Sequence, residues 1–338
     1  MSVVYLTPPS IGTQFIKEKI TCLRPKHQIK TQIYGEVKNG KLIMHNYGHG
    51  GSGWTMLFGS VQRMMHEFDA KIAEHPSFKN KPVRVIGAGC MGLLSAIMLK
   101  EKGYYVKIVA EQLENLTSHK AVGVFFPCSK FAKSEYQKQI NKESLQECRA
   151  IMNGFHRFLT PETVRIITDY VDRENGYAGF DFLEPVKFVT IDFGNGKTHD
   201  VKAYKTLLIN VTEMMRQLHT QVQKLGISIE QKKVITFDEL TEPIIINCAG
   251  LGARELNNDT KMMPVQGHLI TLQNQPIEQL DYLVNIKDNA TDTLLYFAPK
   301  SSGILGCTVI ENEGGLDTNA HEFDNILKRA EAFFGLSS

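Results

Sequence analysis

The segment Val83-Arg84-Val85-Ile86-Gly87-Ala88-Gly89-Cys90-Met91-Gly92 constrains the fold of this 338-residue chain more than any other, because an apolar strand runs into Gly-x-Gly-x-x-Gly and then a helix. The helix pattern continues through Lys102, stops at Gly103, and leads into Val106-Lys107-Ile108-Val109, which completes a βαβ unit. The first glycine makes the turn, the second admits a pyrophosphate to the backbone amides, and the third lets helix and strand pack. Glu111, 19 residues after Gly92 at the end of the second strand, is placed to accept a ribose hydroxyl. Glycines kept only for turns are the plainer reading. Strand, helix and acidic residue together favour a dinucleotide, without separating FAD from NAD.

A second glycine cluster lies upstream, His45-Asn46-Tyr47-Gly48-His49-Gly50-Gly51-Ser52-Gly53-Trp54-Thr55, with four glycines in six positions. Residues 28–34 alternate as a strand does, and Asn39-Gly40 marks a hairpin turn before Leu42-Ile43-Met44. The pattern Met56, Leu57, Val61, Met64, Met65, Phe68, Ile72 predicts a helix after the cluster. Backbone bare of side chains approaches a planar ligand closely. The helix N-terminus would favour negative charge on that ligand by about 0.3–2 kcal/mol, as the N1 and O2 region of a reduced flavin develops. A flexible linker is the alternative, although linkers rarely hold His, Asn, Tyr and Trp.

Composition excludes several classes. The 38 basic and 36 acidic residues leave a net charge of +2 with no long like-charge run, which argues against a nucleic-acid partner. Cys22, Cys90, Cys128, Cys148, Cys248 and Cys307 show no Cys-x-x-Cys and no zinc spacing, so no metal is expected and free thiols in a reducing compartment are. Neither a leader nor an apolar run of about 20 residues is visible. The expectation is a soluble cytoplasmic protein.

Further along, residues 131–182 read as largely helical, strands follow near Val186–Asp192, and a helix is expected from about Lys205 to Lys224. Ile244-Ile245-Ile246-Asn247 reads as a buried parallel strand, with further strands at His268–Leu272, Leu294–Ala298 and Gly303–Val309 and a closing helix near Ala320–Phe333. A short helical run is expected from about Gln14.

His45-Asn46-Tyr47-Gly48-His49-Gly50-Gly51-x-Gly53-x-Thr55 resembles the flavin loop of the D-amino-acid oxidase family. Leu23-Arg24-Pro25 is similar to that family's Arg-Pro element, Val85–Leu93 to its FAD fingerprint, Thr117-Ser118-x-x-Ala121-x-Gly123 to the segment after its second strand, and Ile246–Gly250 to its Asn-Cys-x-Gly strand end. The resemblance implies an α/β fold: a Rossmann-like FAD-binding domain from residues 20–130 and 204–258, and a substrate domain of mixed sheet plus helices from 131–203 and 259–338.

It also implies roles. Arg24 would grip a substrate carboxylate through its planar fork, and Tyr296 would contact substrate. FAD contacts would fall to Gly48, His49, Gly50, Gly51, Ser52, Gly53, Trp54, Thr55, Gly87, Gly89, Cys90, Met91, Gly92, Glu111, Thr117, Ser118, Gly123, Val234, Ala249 and Gly250. His45 and His268 read as structural, and no general base is required. Two departures point to an altered substrate pocket: Asp292 stands where the eukaryotic enzymes have a second tyrosine, and Val124-Phe125-Phe126-Pro127-Cys128 replaces Leu-Trp-Gln-Pro-Tyr.

The family order of the two glycine motifs is the reverse of the order here, and only one copy of each is present. Circular permutation is therefore expected, with 75–82 as linker and the N-terminal loop serving its own chain or, in a homodimer, a neighbour. The implied activity is FAD-dependent oxidation of a small carboxylated amine, a D-amino acid or glycine-like compound, by hydride transfer, with molecular oxygen as acceptor and hydrogen peroxide as product. An NAD-dependent dehydrogenase and an inactive flavin-binding module are the alternatives.

Overall fold

The computed structural model of the chain describes residues 2–126, 134–172, 184–288 and 293–336. Pro127, Cys128 and Asp292 lie outside the described residues. The N-terminal part holds β1 (Ser2–Tyr5), β2 (Ile16–His27), β3 (Gln32–Lys38), β4 (Lys41–Tyr47) and α1 (Gly53–Glu74). Then come β5 (Val83–Ile86), α2 (Cys90–Glu101), β6 (Val106–Ala110), α3 (Thr117–Lys120), α4 (Glu135–Met152), β7 (Val164–Val171), β8 (Lys187–Asp192), β9 (Thr198–Ile209) and α5 (Val211–Lys224). The remainder is β10 (Ser228–Gln231), β11 (Ile244–Asn247), α6 (Ala253–Leu256), β12 (Met262–Leu272), β13 (Leu283–Asp288), β14 (Thr293–Ala298), β15 (Ile304–Gly306), β16 (Ile310–Glu311) and α7 (His321–Phe334).

Six strands form one sheet in the order β10-β6-β5-β11-β4-β3. All are parallel except β3, which returns from β4 through Asn39-Gly40, both at positive φ (50° and 72°) as a two-residue hairpin turn requires. The run Ile244–Ile246 is fully buried between β4 and β5, which explains its unbroken apolar character. Helix α2 is buried on nearly every side, and α1, α2, α4 and α5 share one apolar core with this sheet.

The larger sheet has ten strands, β1-β8-β9-β7-β13-β14-β15-β12-β16, with β2 also paired to β12. Alternation along its strands separates two faces. Leu295, Phe297, Leu305 and Ile270 pack beneath Phe323, Ile326, Phe333 and Phe334 of α7. Tyr296, Ile304 and Leu269 face the other way, together with Cys22, Cys307 and Val122. That second face meets the six-stranded part.

Several sequence expectations change. The run at Gln14 is a single turn, Thr13–Phe15, followed by the long strand β2, which pairs with β12 across Ile16–His27. Arg24 therefore belongs to the larger sheet, although a boundary at residue 20 groups it with the cofactor part. The strand expected at 28–34 begins at Gln32. The helix expected from Lys205 starts at Val211, because Thr198–Ile209 is held as a strand between β7 and β8 and the Asn210 side chain then caps the helix by accepting from Glu213 N. Within 131–182, α4 is followed by strand β7 rather than by more helix.

Candidate active site

The C-terminal ends of four adjacent parallel strands converge. Gly87 follows β5, Glu111 follows β6, Cys248-Ala249-Gly250 follows β11, and Gly48–Gly53 follows β4. Open parallel sheets bind ligands at this edge.

Gly87 has φ of 105°, and a Cβ there would collide with the Cys248 carbonyl. A Cβ on Gly92 would collide with the Gly87 carbonyl, so helix and turn touch backbone to backbone. At Gly89 the nearest atom is the Ser118 hydroxyl oxygen, 3.1 Å from where a Cβ would lie. Cys90 N donates to that hydroxyl at 3.2 Å. Burial raises the Cys90 thiol to about 11, and both it and Met91 pack in the core. Glu111 is exposed, with Lys233 Nζ 3.6 Å away. Val234 is buried against Ile86, Val109 and Ile245, so its side chain is packing. Ala249 lies partly against the same cluster, and a Cβ on Gly250, at φ of 58°, would lie 3.9 Å from Pro25.

The upstream loop is stitched to β2. Gly50 N donates to Pro25 O at 2.7 Å, His27 N donates to Gly48 O at 3.2 Å, and His49 bridges to Lys26. Gly48, Gly50 and Gly51 have φ of 84°, 60° and 97°, a region that side chains disfavour. Ser52 makes no side-chain cap, so the first amides of α1, those of Gly53, Trp54 and Thr55, receive no acceptor from it. Trp54 Nε1 donates to Ser118 O at 3.0 Å, and the Thr55 hydroxyl accepts from Phe126 N at 3.0 Å. Thr117 donates to Leu23 O at 3.0 Å. Gly123, at φ of 89°, lies where a Cβ would strike the Ile209 carbonyl. The two glycine motifs, distant in register, thus meet across Ser118.

Three of the histidines are held by neighbouring polar groups. His49 is buried 3.2 Å from the Ser60 hydroxyl, and burial lowers its pKa to about 4. His45 lies between Glu36 and Asn247, each at 3.2 Å, and stacks on Tyr34. His268 meets Thr308 Oγ1 at 2.6 Å and faces the edge of Phe323.

Arg24 and Tyr296 are brought together. Arg24 Nη2 donates to Thr308 O at 3.1 Å, and no carboxylate pairs with it among the described residues. Its guanidinium occupies the space left by Gly267, where a Cβ would collide with Nη2, and its stem runs under Gly51, whose Cβ would lie 2.9 Å from Cδ. Tyr296 lies over Gly306, with its hydroxyl 2.9 Å from a Cβ there. Burial opposes the Arg24 charge, yet Cys307, Cys22 and Tyr296 beside it leave its pKa above the usual value. Burial raises Tyr296 well above the ordinary tyrosine range. Cys22, Cys307, Gly267 and Thr308 were not singled out from sequence. A glycine inside a strand was the one available signal.

This arrangement fits FAD: a glycine turn at Gly87–Gly92 beside the Ser118 hydroxyl, helix amides next to Gly50 and Gly51 that the Ser52 side chain does not cap, and an acidic side chain one strand away. The model of the FAD dependent oxidoreductase (DAO) family matches residues 83–336. The chain belongs to that family. The D-amino-acid oxidase of Streptomyces coelicolor is 24% identical over 257 residues, 74% of this chain and 77% of that protein. The D-amino acid oxidase of Dugesia ryukyuensis is 27% identical over 272 residues, covering 72% and 75%. In fold, the chain is similar to iminodiacetate oxidase from Chelativorans sp. BNC1, with a TM-score of 0.53 at 13% identity over 75% of this chain and 79% of that one. The protein is an FAD-dependent oxidoreductase, and the NAD-dehydrogenase alternative falls. Among the described residues no group of side chains could hold a metal ion, and no helix is long and apolar enough to cross a membrane.

Proposed function

We propose that this oxidoreductase oxidises a small carboxylated amine, a D-amino acid or glycine-like compound. One observation carries the reading: Arg24, a guanidinium with no carboxylate partner among the described residues, lies beside Tyr296 and directly under the glycine loop. A carboxylate laid on its fork sets the substrate's α-carbon between the two sheets. Cys22, Cys307, Val122 and Tyr296 give that space mostly apolar walls, which suits a small uncharged side chain. FAD when bound supplies the two-electron acceptor, with oxygen as the final acceptor and hydrogen peroxide as product. The names of the two oxidase relatives agree with this substrate class.

The same proposal includes circular permutation in cis, with the cofactor part drawn from 20–130 and 204–258 and the substrate part from 131–203 and 259–338. Three findings support it. The family match leaves out residues 1–82, β4 of that excluded segment pairs in parallel with β11, and Ile11, Ile16 and Leu336 pack on one cluster.

The test is anaerobic mixing of the purified yellow protein with D- and L-amino acids, sarcosine and glycine, followed by a peroxide assay in air. At least one carboxylated amine is expected to bleach the flavin. Arg24→Ala is expected to weaken its binding by about 2–5 kcal/mol, the scale for unpairing a buried charge. Failure of every compound to bleach the flavin, or unchanged kinetics in Arg24→Ala, would remove the reading.

A further inference from the structure

Lys300 stands four residues after Tyr296, just beyond β14, and is not accounted for by any step above. Its Nζ donates to His119 O at 2.7 Å and to Ala121 O at 2.6 Å. Among the described residues no carboxylate pairs with it. Burial lowers its pKa to about 8, and burial also keeps His119, whose carbonyl it holds, below its usual value. A buried ammonium without a counter-ion is costly, and main-chain carbonyls are the remaining acceptors that can hold it.

Those two carbonyls terminate α3. The same short segment places the Ser118 hydroxyl on Cys90 N, the Ser118 carbonyl on the Trp54 indole, and Thr117 on Leu23, the neighbour of Arg24. The loop bearing Lys300 belongs to the larger sheet, whereas the segment it grips belongs to the cofactor edge of the smaller one. We propose that Lys300 is a positioning residue: it fixes residues 117–123 against the end of β14, the strand that carries Tyr296, so that cofactor-side and substrate-side contacts are set by one lysine. The cofactor half of this statement rests on the flavin site described above.

The chain contains one tryptophan, Trp54, and its indole is bonded to the segment in question. It therefore reports on the segment without cofactor or turnover. Lys300→Met, which keeps the stem and removes the donors, is expected to shift Trp54 emission to the red in the apoprotein. In the holoprotein it is expected to raise the FAD dissociation constant about tenfold, the scale of one lost charge-assisted hydrogen bond. Lys300→Arg is expected to restore both to near wild type. If Lys300→Met does not accumulate folded, Lys300→Gln replaces it, with the same readings. Unchanged emission and FAD affinity in the donor-deleted variant, or equal losses in Lys300→Arg, overturns the proposal. Wild-type protein that fails to bind FAD while Trp54 still responds to Lys300→Met would sink the flavin reading and leave the connector standing.

Discussion

Gly267 and Arg24 form a unit in which one residue supplies the charge and the other the absence of a side chain. An Ala at 267 would place its methyl group on Nη2 of Arg24 and push the fork off its aim. Gly267→Ala is expected to raise KM for carboxylated substrates about tenfold, a 1.4 kcal/mol loss, with the flavin spectrum unchanged; an unaltered KM would show that Arg24 is not the anchor. Arg24 was singled out through the resemblance of Leu23-Arg24-Pro25 to the family's Arg-Pro element. Gly267 was not, since its meaning depends on a side chain arriving from a strand 243 positions earlier. Cys22 and Cys307 were likewise noted only as thiols. Neither position carries a local sign that β2 and the end of β15, on opposite edges of β12, bring Cys22 and Cys307 into one cluster with Leu269.

At the scale of elements, β4 and its loop carry two buried histidines, His45 and His49, both shifted down by burial. An unfolded histidine takes up its proton near 6.5, whereas folded His49 stays neutral until about 4. Between those values the unfolded chain binds more protons, so stability falls as pH falls, by about 1.4 kcal/mol per pH unit for each such residue. Urea midpoints measured from pH 7 to 4.5 are expected to drop accordingly, and His49→Asn to flatten the slope by about one proton. A flat profile in the parent protein would contradict the burial of these rings. Elements with a strong signature were readable: β5-Gly-α2-β6, the Asn39-Gly40 hairpin, α1 and α7. Strands β2, β7 and β9 were not. In β2 only Cys22 and His27 are buried, which leaves no alternation to read, and in β9 the buried positions crowd toward one end, where Thr206–Ile209 is buried and Thr198–Asp200 is not fully so. Such short apolar runs fit helical and extended periods equally until a partner strand decides.

For the whole molecule, the permutation reading makes a construction-level prediction. A chain beginning at Val83, running through Ser338, and continuing by a short linker into Ile11–Pro82 is expected to fold and retain FAD, because Ile11 and Leu336 already share a cluster. A version that folds but no longer holds flavin would contradict it. Both glycine motifs, and their reversed order, were visible in the sequence. The tenfold strand count of the larger sheet was not, because β1 joins it only by pairing with β8, far along the chain. The slot between β4 and β5 has a consequence for biosynthesis. Both glycine loops leave the ribosome within the first 92 residues, but β11, the strand that separates them, is not made until residue 247. The nascent chain therefore carries two unjoined halves of the proposed cofactor cradle through nearly half of its translation, and flavin capture is expected to be a late event, timed by the synthesis of four residues, Ile244–Asn247.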